Sequence, residues 1–355
     1  MFKTYSIGSL PRPQWIKDLI ENRKSRHITS DECDALLDTA IPSAIKLQEY
    51  AGLDFVSDGE WRRESYVKVF SDAVSGFKSD LHIEESSVPV SKLAYPAVVD
   101  RIKFQTPIAT KEALFLKQFA TRNTTVAIPS AYTIGRRMWS AEHSQNAYPT
   151  REEFIHDCVP ILRDEIGRLE KAGIDSIQLD DPWLALLVDG SYRKKENIVN
   201  IDHEIELSIN SINSIVEGSS IPISVHLCHA HFNRKHGSKG SYEPIIQALK
   251  SINVSRFALE LATPDAGSIK VLKEFPSDKV LGLGIVDHTD RHIETPKEIV
   301  DRALAAMEYV SADRISLNTD CGFSPSSQNP MDLDEAYLKL KAMCMGAETL
   351  RNKYA

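Results

Sequence analysis

Short runs of apolar and β-branched residues recur along the chain and alternate with longer amphipathic stretches. The short runs are typical of buried β-strands, and the longer ones have the spacing of helices with one apolar face. Eight strands are predicted, at Tyr5–Leu10, Asp54–Asp58, Thr124–Pro129, Ser176–Asp180, Ile221–Cys228, Arg256–Leu261, Val280–Val286 and Arg314–Asn318. The clearest predicted helices are Ser30–Ala51, Arg151–Ala172, Glu204–Glu217, Tyr242–Ser251 and Pro296–Val310.

The alternation of strands and helices predicts the fold. About eight repeats with Val- and Ile-rich strands favour a (β/α)8 TIM-type barrel over a doubly wound open sheet. The stretch Ser79–Thr106 fits the repeat least well and is expected to be a β-hairpin or loop excursion. Since no low-complexity linker divides the chain, residues 1–355 are predicted to form a single catalytic barrel. Such barrels place their active sites at the carboxyl ends of the strands.

Composition and charge narrow the class of protein. The 355 residues are 42% hydrophobic, and neither a signal-like start nor an apolar run approaching the roughly 20 residues of a membrane span is present, so we expect a cytoplasmic protein. The net charge of -8, with dispersed basic residues, argues against nucleic acid and anionic membranes and favours a small-molecule partner. Five scattered cysteines argue against a disulfide framework and leave thiols free for metal. Three of them fall in helical patterns and are expected to pack as core or surface residues: Cys33, Cys158 and Cys344.

Four residues with metal-binding side chains lie at or just past the ends of predicted strands. His226 and Cys228 end one strand, Glu260 lies at the end of the next, and Cys321 follows the last. A His and a Cys two residues apart on a strand point to the same side. Imidazole, two thiolates and a carboxylate suit Zn²⁺ and poorly suit Mg²⁺ or Ca²⁺. The sequence therefore predicts a zinc site that handles a thiol.

Each of these assignments has a structural alternative. Glu260 could pair with an arginine, either Arg256 or Arg234, instead of binding metal. Asp180 and Asp181 end another strand and could merely cap the helix that follows. The segment after the His-x-Cys pair reads as a loop with further histidines, which are alternative ligands or substrate contacts: His229, His231 and His236.

Several longer motifs resemble those of a known family. In chain order they are IGSLPRP (7–13), AGLDFVSDGEWRR (51–63), AGIDSIQLDDP (172–182), HLC (226–228), LEL (259–261) and NTDCGF (318–323). Their order and positions resemble the catalytic domain of cobalamin-independent methionine synthase over nearly the whole chain. The resemblance is closest to the short, single-barrel members, which include archaeal-type methionine synthases and epoxyalkane:coenzyme M transferase.

The resemblance implies roles for individual residues. The zinc ligands would be His226, Cys228, Glu260 and Cys321. The loop that holds the carboxylate of the amino acid is matched by Ile7, Gly8 and Ser9, and the carboxylates that bind its ammonium group are matched by Glu60 and Asp180. Two thiolates, one carboxylate and one neutral imidazole give Zn²⁺ a formal charge of -1, which keeps a bound substrate sulfur nucleophilic.

Departures from the family pattern concern the substrate side. The acid-catalytic histidine of the family lies two residues after an aspartate, but that position is Thr289 here, so Asp287 and His288 are the candidate catalytic pair. The family motif Asp-Glu-Pro becomes Asp-Asp-Pro followed by Trp183, which reshapes the pocket. Trp139 is a candidate aromatic platform for a flat methyl donor, with a packing role as the alternative.

Together these residues predict zinc-dependent transfer of a methyl or alkyl group to a thiol. The resemblance makes homocysteine the default acceptor and methionine the product, with a 5-methyltetrahydrofolate-type or corrinoid donor and, as a candidate partner, a protein that delivers it. The alternative is alkylation of another thiol, such as coenzyme M, by an epoxide-type substrate. A zinc hydrolase is disfavoured by two thiolate ligands, and a structural zinc by ligands from separate strand ends rather than CxxC pairs.

Overall fold

Eight parallel strands close into a barrel in the computed structural model, which describes residues 1–84, 94–324 and 331–354. The predicted (β/α)8 fold is thereby confirmed. In chain order the strands are β1 (Thr4–Tyr5), β2 (Phe55–Val56), β3 (Val74–Glu84), β4 (Ala94–Phe104), β5 (Asn123–Pro129), β6 (Ser176–Asp180), β7 (Ile223–Leu227), β8 (His231–Phe232), β9 (Lys235–His236), β10 (Arg256–Leu259), β11 (Val280–Val286) and β12 (Ile315–Thr319). Around the barrel the order is β1-β12-β11-β10-β7-β6-β5-β2, and β1 pairs with β2 to close it.

Helices cover the outside of the barrel. They are α1 (Gln14–Lys24), α2 (Ser30–Ala51), α3 (Lys68–Ala73), α4 (Thr110–Phe119), α5 (Ala131–Met138), α6 (Ala141–Ser144), α7 (Arg151–Lys171), α8 (Pro182–Leu186), α9 (Gly190–Lys195), α10 (Ile201–Val216), α11 (Pro296–Met307) and α12 (Leu333–Tyr354). Short 3-10 helices occur at Ala248–Ser251, Pro264–Ala266, Ile269–Glu274 and Ala312–Arg314. Among the described helices, none is long and apolar enough to cross a bilayer.

Two sequence predictions differ from the structure in detail. The first strand ends at Tyr5 rather than Leu10, because Gly8 adopts a left-handed φ of +49° that a strand cannot continue through. The predicted helix Tyr242–Ser251 is wrong: turns and the short 3-10 helix replace it. The side chain of Tyr242 explains the difference, because its hydroxyl donates to Leu227 O (2.9 Å) and accepts from Glu260 N (3.0 Å), which anchors this segment to two strand ends.

The predicted excursion is an antiparallel hairpin of β3 and β4. It begins earlier than expected, because apolar residues of β3 pack on the barrel helices: the ring of Phe77 lies 6.3 Å from Phe70 and 6.2 Å from Phe154. Residues 85–93, at the centre of the predicted excursion, lie outside the described residues. The hairpin therefore extends the fold on one side without interrupting the barrel.

An arginine fills part of the barrel interior. Arg256 is buried, donates to Ser316 Oγ (2.8 Å) and Asn318 Oδ1 (2.6 Å), and lies 4.0 Å from the centre of the Tyr5 ring. Gly282 leaves room for it, since a Cβ there would be 2.5 Å from a guanidinium nitrogen. This layer of interior side chains lies below the carboxyl ends of the strands. The polar side chains at the strand ends are therefore a separate group from the Arg256 layer.

Candidate metal centre and substrate pocket

Three of the four predicted zinc ligands converge at the carboxyl end of the barrel. The ligand atoms of His226, Cys228 and Cys321 all lie within 4.8 Å of one another, and the two sulfurs are 3.6 Å apart. With Zn–S bonds of about 2.3 Å, tetrahedral geometry would place two sulfurs about 3.8 Å apart. Both ring nitrogens of His226 are buried without a hydrogen-bond partner among the described residues. The donor set and its spacing therefore fit a bound zinc ion.

The two cysteines differ in their ability to lose a proton. A hydrogen bond from the Cys321 thiol lowers the pKa of Cys228 well below its ordinary value, and the nearby His226 adds to this effect against the opposing effect of burial. One thiolate is thus favoured before any metal binds. Thiolate is the form of cysteine that binds metal.

Glu260, the fourth predicted ligand, faces a group of histidines. Its Oε2 accepts from the backbone N–H of His229 (2.7 Å) and lies 3.1 Å from His229 Nδ1, while its Oε1 lies 3.0 Å from His236 Nδ1. Burial would raise the pKa of Glu260, but its contacts with these two histidines lower it well below its usual value. The arginine alternative is wrong: Arg256 lies inside the barrel and Arg234 pairs with Glu335. The role of Glu260 as a zinc ligand stays a prediction.

The segment after Cys228 is more ordered than a loop. Strands β8 and β9 form a short hairpin whose histidines turn toward the barrel end. His229 Nε2 is 2.9 Å from Gly240 O, and His231 Nε2 is 2.8 Å from Gly322 O. The alternation His-x-Cys-His-x-His in the sequence was the available signal, but it could not indicate that these rings meet Glu260.

The candidate catalytic residues Asp287 and His288 separate in the structure. The Asp287 carboxylate accepts from Thr289 N and Thr289 Oγ1, both at 2.6 Å. His288 is buried, with its Nδ1 3.9 Å from Glu260 Oε1 and its ring centre 3.9 Å from that of His231. Burial, followed by the neighbouring His231, holds the pKa of His288 well below its ordinary value, so its imidazole is neutral.

The loop after β1 packs against the acidic residues predicted to bind substrate. A Cβ on Gly8 would be 2.9 Å from Glu60 Oε1, so the loop and this carboxylate are in direct contact. Ser9 Oγ accepts from Ser324 N (3.2 Å), and Ile7 N donates to Thr319 Oγ1 (3.1 Å). Glu60 itself is buried in a left-handed conformation, φ +57°, which costs about 1–3 kcal/mol and is typical of binding sites.

Asp180 lies next to the three-ligand group. It pairs with His226 in the register of β6 and β7, and its Oδ1 accepts from Gln178 Nε2 (2.8 Å) rather than from the following helix. The pKa of Asp180 is raised to about 7. Burial is the main cause, His226 opposes the rise, and Glu60 adds to it. Burial likewise raises the pKa of Glu60, an effect opposed by the guanidinium of Arg63, whose Nη1 lies 3.3 Å from Glu60 Oε1. Two neighbouring buried carboxylates favour a cationic ligand such as an ammonium group.

Trp139 has a packing environment. Its indole N–H donates to Tyr148 O (2.9 Å) at the end of α5, which favours the packing alternative. A different aromatic group stands near the barrel end: the guanidinium of Arg137 lies 4.3 Å from the ring of Trp183 and 4.7 Å from that of Tyr95. Tyr95 belongs to the hairpin, and its contact with Arg137 was not visible in the sequence.

Comparisons with known proteins agree with this fold. The family model described as "Cobalamin-independent synthase, Catalytic domain" matches residues 2–349. A methionine synthase of Pyrococcus horikoshii is 30% identical over 355 residues, covering 99% of this chain and 93% of the relative. A methionine synthase of Sulfurisphaera tokodaii is 27% identical over 355 residues, with the same coverage of both chains. A solved B12-independent methionine synthase from Shewanella sp. W3-18-1, in complex with selenomethionine, superposes with a TM-score of 0.83 at 24% identity, covering 99% of this chain and 98% of that one. The chain belongs to the family of the catalytic domain of cobalamin-independent methionine synthases.

Proposed function

We propose that the protein transfers a methyl group to the thiol of homocysteine, giving methionine, in a zinc-dependent reaction. Membership of the family supports methyl transfer to homocysteine. The observation that carries the proposal is the juxtaposition of a buried His–Cys–Cys group with the buried carboxylate of Asp180 on the adjacent strand. One group is suited to a thiol and the other to an ammonium, and homocysteine contains both.

The metal would be held by His226, Cys228 and Cys321, with Glu260 as the expected fourth ligand. Zinc bound there would lower the pKa of an incoming thiol, so that the substrate reacts as a thiolate at neutral pH. Glu260 is the hardest of the donors, and we expect it to be the ligand that gives way to the substrate sulfur. Its contacts with His229 and His236 would then hold the released carboxylate.

The amino acid end of the substrate would bind on the other side of His226. Glu60 and Asp180 are positioned to pair with its ammonium group, and the loop of Ile7, Gly8 and Ser9 is the proposed seat of its carboxylate. Coenzyme M carries a sulfonate and no ammonium group, so it would leave these buried acidic groups without a cationic partner from the substrate. This charge pattern favours homocysteine over the coenzyme M alternative.

Proton transfer to the leaving group is the proposed role of His288. Its imidazole is neutral and buried beside Glu260, so it can hand on a proton taken from the thiol. The Asp287 carboxylate would fix the turn that carries His288 through its two bonds to Thr289. A flat donor of the methyltetrahydrofolate type, or a corrinoid, would approach past Arg137 and Trp183, with Trp139 acting at a distance through packing.

X-ray absorption at the zinc edge tests this proposal. Zinc-loaded protein is measured alone, with homocysteine and with coenzyme M. We expect an additional sulfur in the first coordination shell with homocysteine and an unchanged spectrum with coenzyme M. A sulfur gained with coenzyme M alone, or with neither thiol, would overturn the assignment of homocysteine as acceptor.

A further inference from the structure

A second group of metal-binding side chains lies beside the first. The ligand atoms of His236, Glu260 and His288 all lie within 4.8 Å of one another and include none of the His–Cys–Cys group. Glu260 Oε1 is 3.0 Å from His236 Nδ1 and 3.9 Å from His288 Nδ1. Ligands about 2.0–2.1 Å from a tetrahedral zinc ion are about 3.3 Å apart, so these separations bracket the expected value.

The donor atoms of this group lack hydrogen-bond partners among the described residues, although His236 and Glu260 lie within ion-pair distance of each other. Glu260 Oε1, His236 Nδ1 and both ring nitrogens of His288 are buried without a hydrogen-bond partner among the described residues. The close approach of His236 Nδ1 to Glu260 Oε1 lacks hydrogen-bond geometry, although the two atoms are within ion-pair distance. Unsatisfied buried polar atoms cost about 1–3 kcal/mol each, so an arrangement with four such atoms favours a bound ligand.

The surroundings hold these rings in orientations that expose the free atoms to one another. His236 Nε2 lies 3.3 Å from Thr263 Oγ1, which leaves Nδ1 directed at Glu260. Glu260 Oε2 is engaged by His229, which leaves Oε1 for the group. Histidine ligands of metals commonly form such a hydrogen bond through the second ring nitrogen.

We propose that His236, Glu260 and His288 form a second metal site, which binds a divalent first-row transition metal next to the thiolate site. Two imidazoles and one carboxylate are the donors of catalytic zinc and non-haem iron(II) sites, and they leave coordination positions open. Glu260 would serve the second site when the substrate sulfur replaces it at the thiolate group, which keeps three ligands of its own, so both sites can be filled at once. The protein would then carry two adjacent metals of different donor character.

Cobalt titration separates the two sites. Untagged protein is stripped with a chelator and titrated with Co²⁺, and bound metal is counted by elemental analysis while absorption reports thiolate-to-cobalt charge transfer. We expect two equivalents in the wild type. His236→Ala and His288→Ala should each bind one equivalent and retain the charge-transfer band, whereas Cys228→Ala/Cys321→Ala should bind one and lose the band.

A matched control is His203→Ala, since His203 is exposed on α10 and pairs with Glu152 far along the chain from this group. It should bind two equivalents like the wild type. A single equivalent in the wild type, or two equivalents in His236→Ala, would overturn the second site. A missing charge-transfer band in the wild type would instead count against the thiolate site, so the two failures are distinguishable.

Discussion

Carboxylates with opposite surroundings account for much of the chemistry at the residue scale. Glu260 meets imidazoles, which favour its charged form, while burial favours the neutral forms of Asp180 and Glu60, an effect that Arg63 opposes at Glu60. The first arrangement suits a metal ligand, and the second suits a site that binds a cationic substrate. Residues of the same chemical type therefore have different proposed roles because of their neighbours.

Asp180→Asn should separate substrate binding from metal binding. Losing the charge that pairs with a buried ammonium costs about 2 kcal/mol or more, which corresponds to roughly a 30-fold loss of homocysteine affinity. Calorimetric titration of zinc-loaded protein with homocysteine measures this loss, and zinc stoichiometry should stay unchanged. The matched control is Asp181→Asn, because Asp181 is buried but bonded to the hydroxyls of Thr133 and Ser208. Equal losses in both variants would contradict the assignment.

Asp72 gives a pH dependence of stability away from the site. Partial desolvation, with a further contribution from Glu64, raises its pKa from 3.8 to about 6, although the residue is exposed to solvent. Between these two pH values the folded protein holds the proton that the unfolded chain has lost, so this residue makes stability fall as pH rises through the window. Because solvent screens the charge of this exposed residue, we expect Asp72→Asn to raise the free energy of unfolding by only about 0.5–1 kcal/mol at pH 7.5 and to change it little at pH 4. Urea unfolding at both pH values measures this, and an equal gain at pH 4 would be inconsistent with titration of Asp72.

Sequence patterns identified the strand-end residues well but could not identify their partners. His226, Cys228 and Cys321 were predicted to converge because carboxyl ends of parallel strands meet at one end of a barrel, and they do. The pairing of Glu260 with histidines depends on how the β8–β9 hairpin folds back, and residue spacing carries no information on that path.

At the element scale, close packing between strands fixes the position of Glu260. A Cβ on Gly284 of β11 would lie 2.4 Å from Leu259 O and 3.0 Å from Glu260 Cα, so only glycine permits this approach. Tertiary contacts also explain why the predicted helix Tyr242–Ser251 is wrong. The periodicity of this segment is compatible with a helix, but the hydrogen bonds of the Tyr242 hydroxyl to two strand ends hold the chain in turns.

Gly284→Ala should weaken metal binding without removing a ligand. The added methyl group must displace the end of β10, at a cost of about 1–3 kcal/mol in stability, and Glu260 moves with it. Thermal unfolding and Co²⁺ titration measure the two effects. Gly167→Ala is the control, since nothing lies within 4 Å of its added Cβ in the middle of α7, and it should gain about 0.5–1 kcal/mol. Unchanged cobalt affinity in Gly284→Ala would argue against this positioning role.

For the whole molecule, the metal is expected to act as a ligand of a barrel that already has its own core. The ligands come from β7 and from the segments after β10 and β12, so bound zinc links distant parts of the chain. Free zinc at 100 times its dissociation constant would add about 2.7 kcal/mol to the free energy of unfolding. We expect a chelator to lower the melting temperature while the far-ultraviolet circular dichroism persists. Loss of that signal on chelation would mean that folding itself requires the metal.

The pairing of β1 with β12 has a consequence for biosynthesis. Thr4 and Tyr5 are translated more than 300 residues before their partners, Leu317 and Asn318. Cys321 follows three residues behind Asn318. Chains are made and begin to fold from the amino end, so the seam between β1 and β12 stays open until nearly all of the barrel has been translated. The residue that closes the seam and the residue that completes the Cys228–Cys321 pair are translated close together, so we expect metal loading at this pair to be one of the last events in the maturation of the protein.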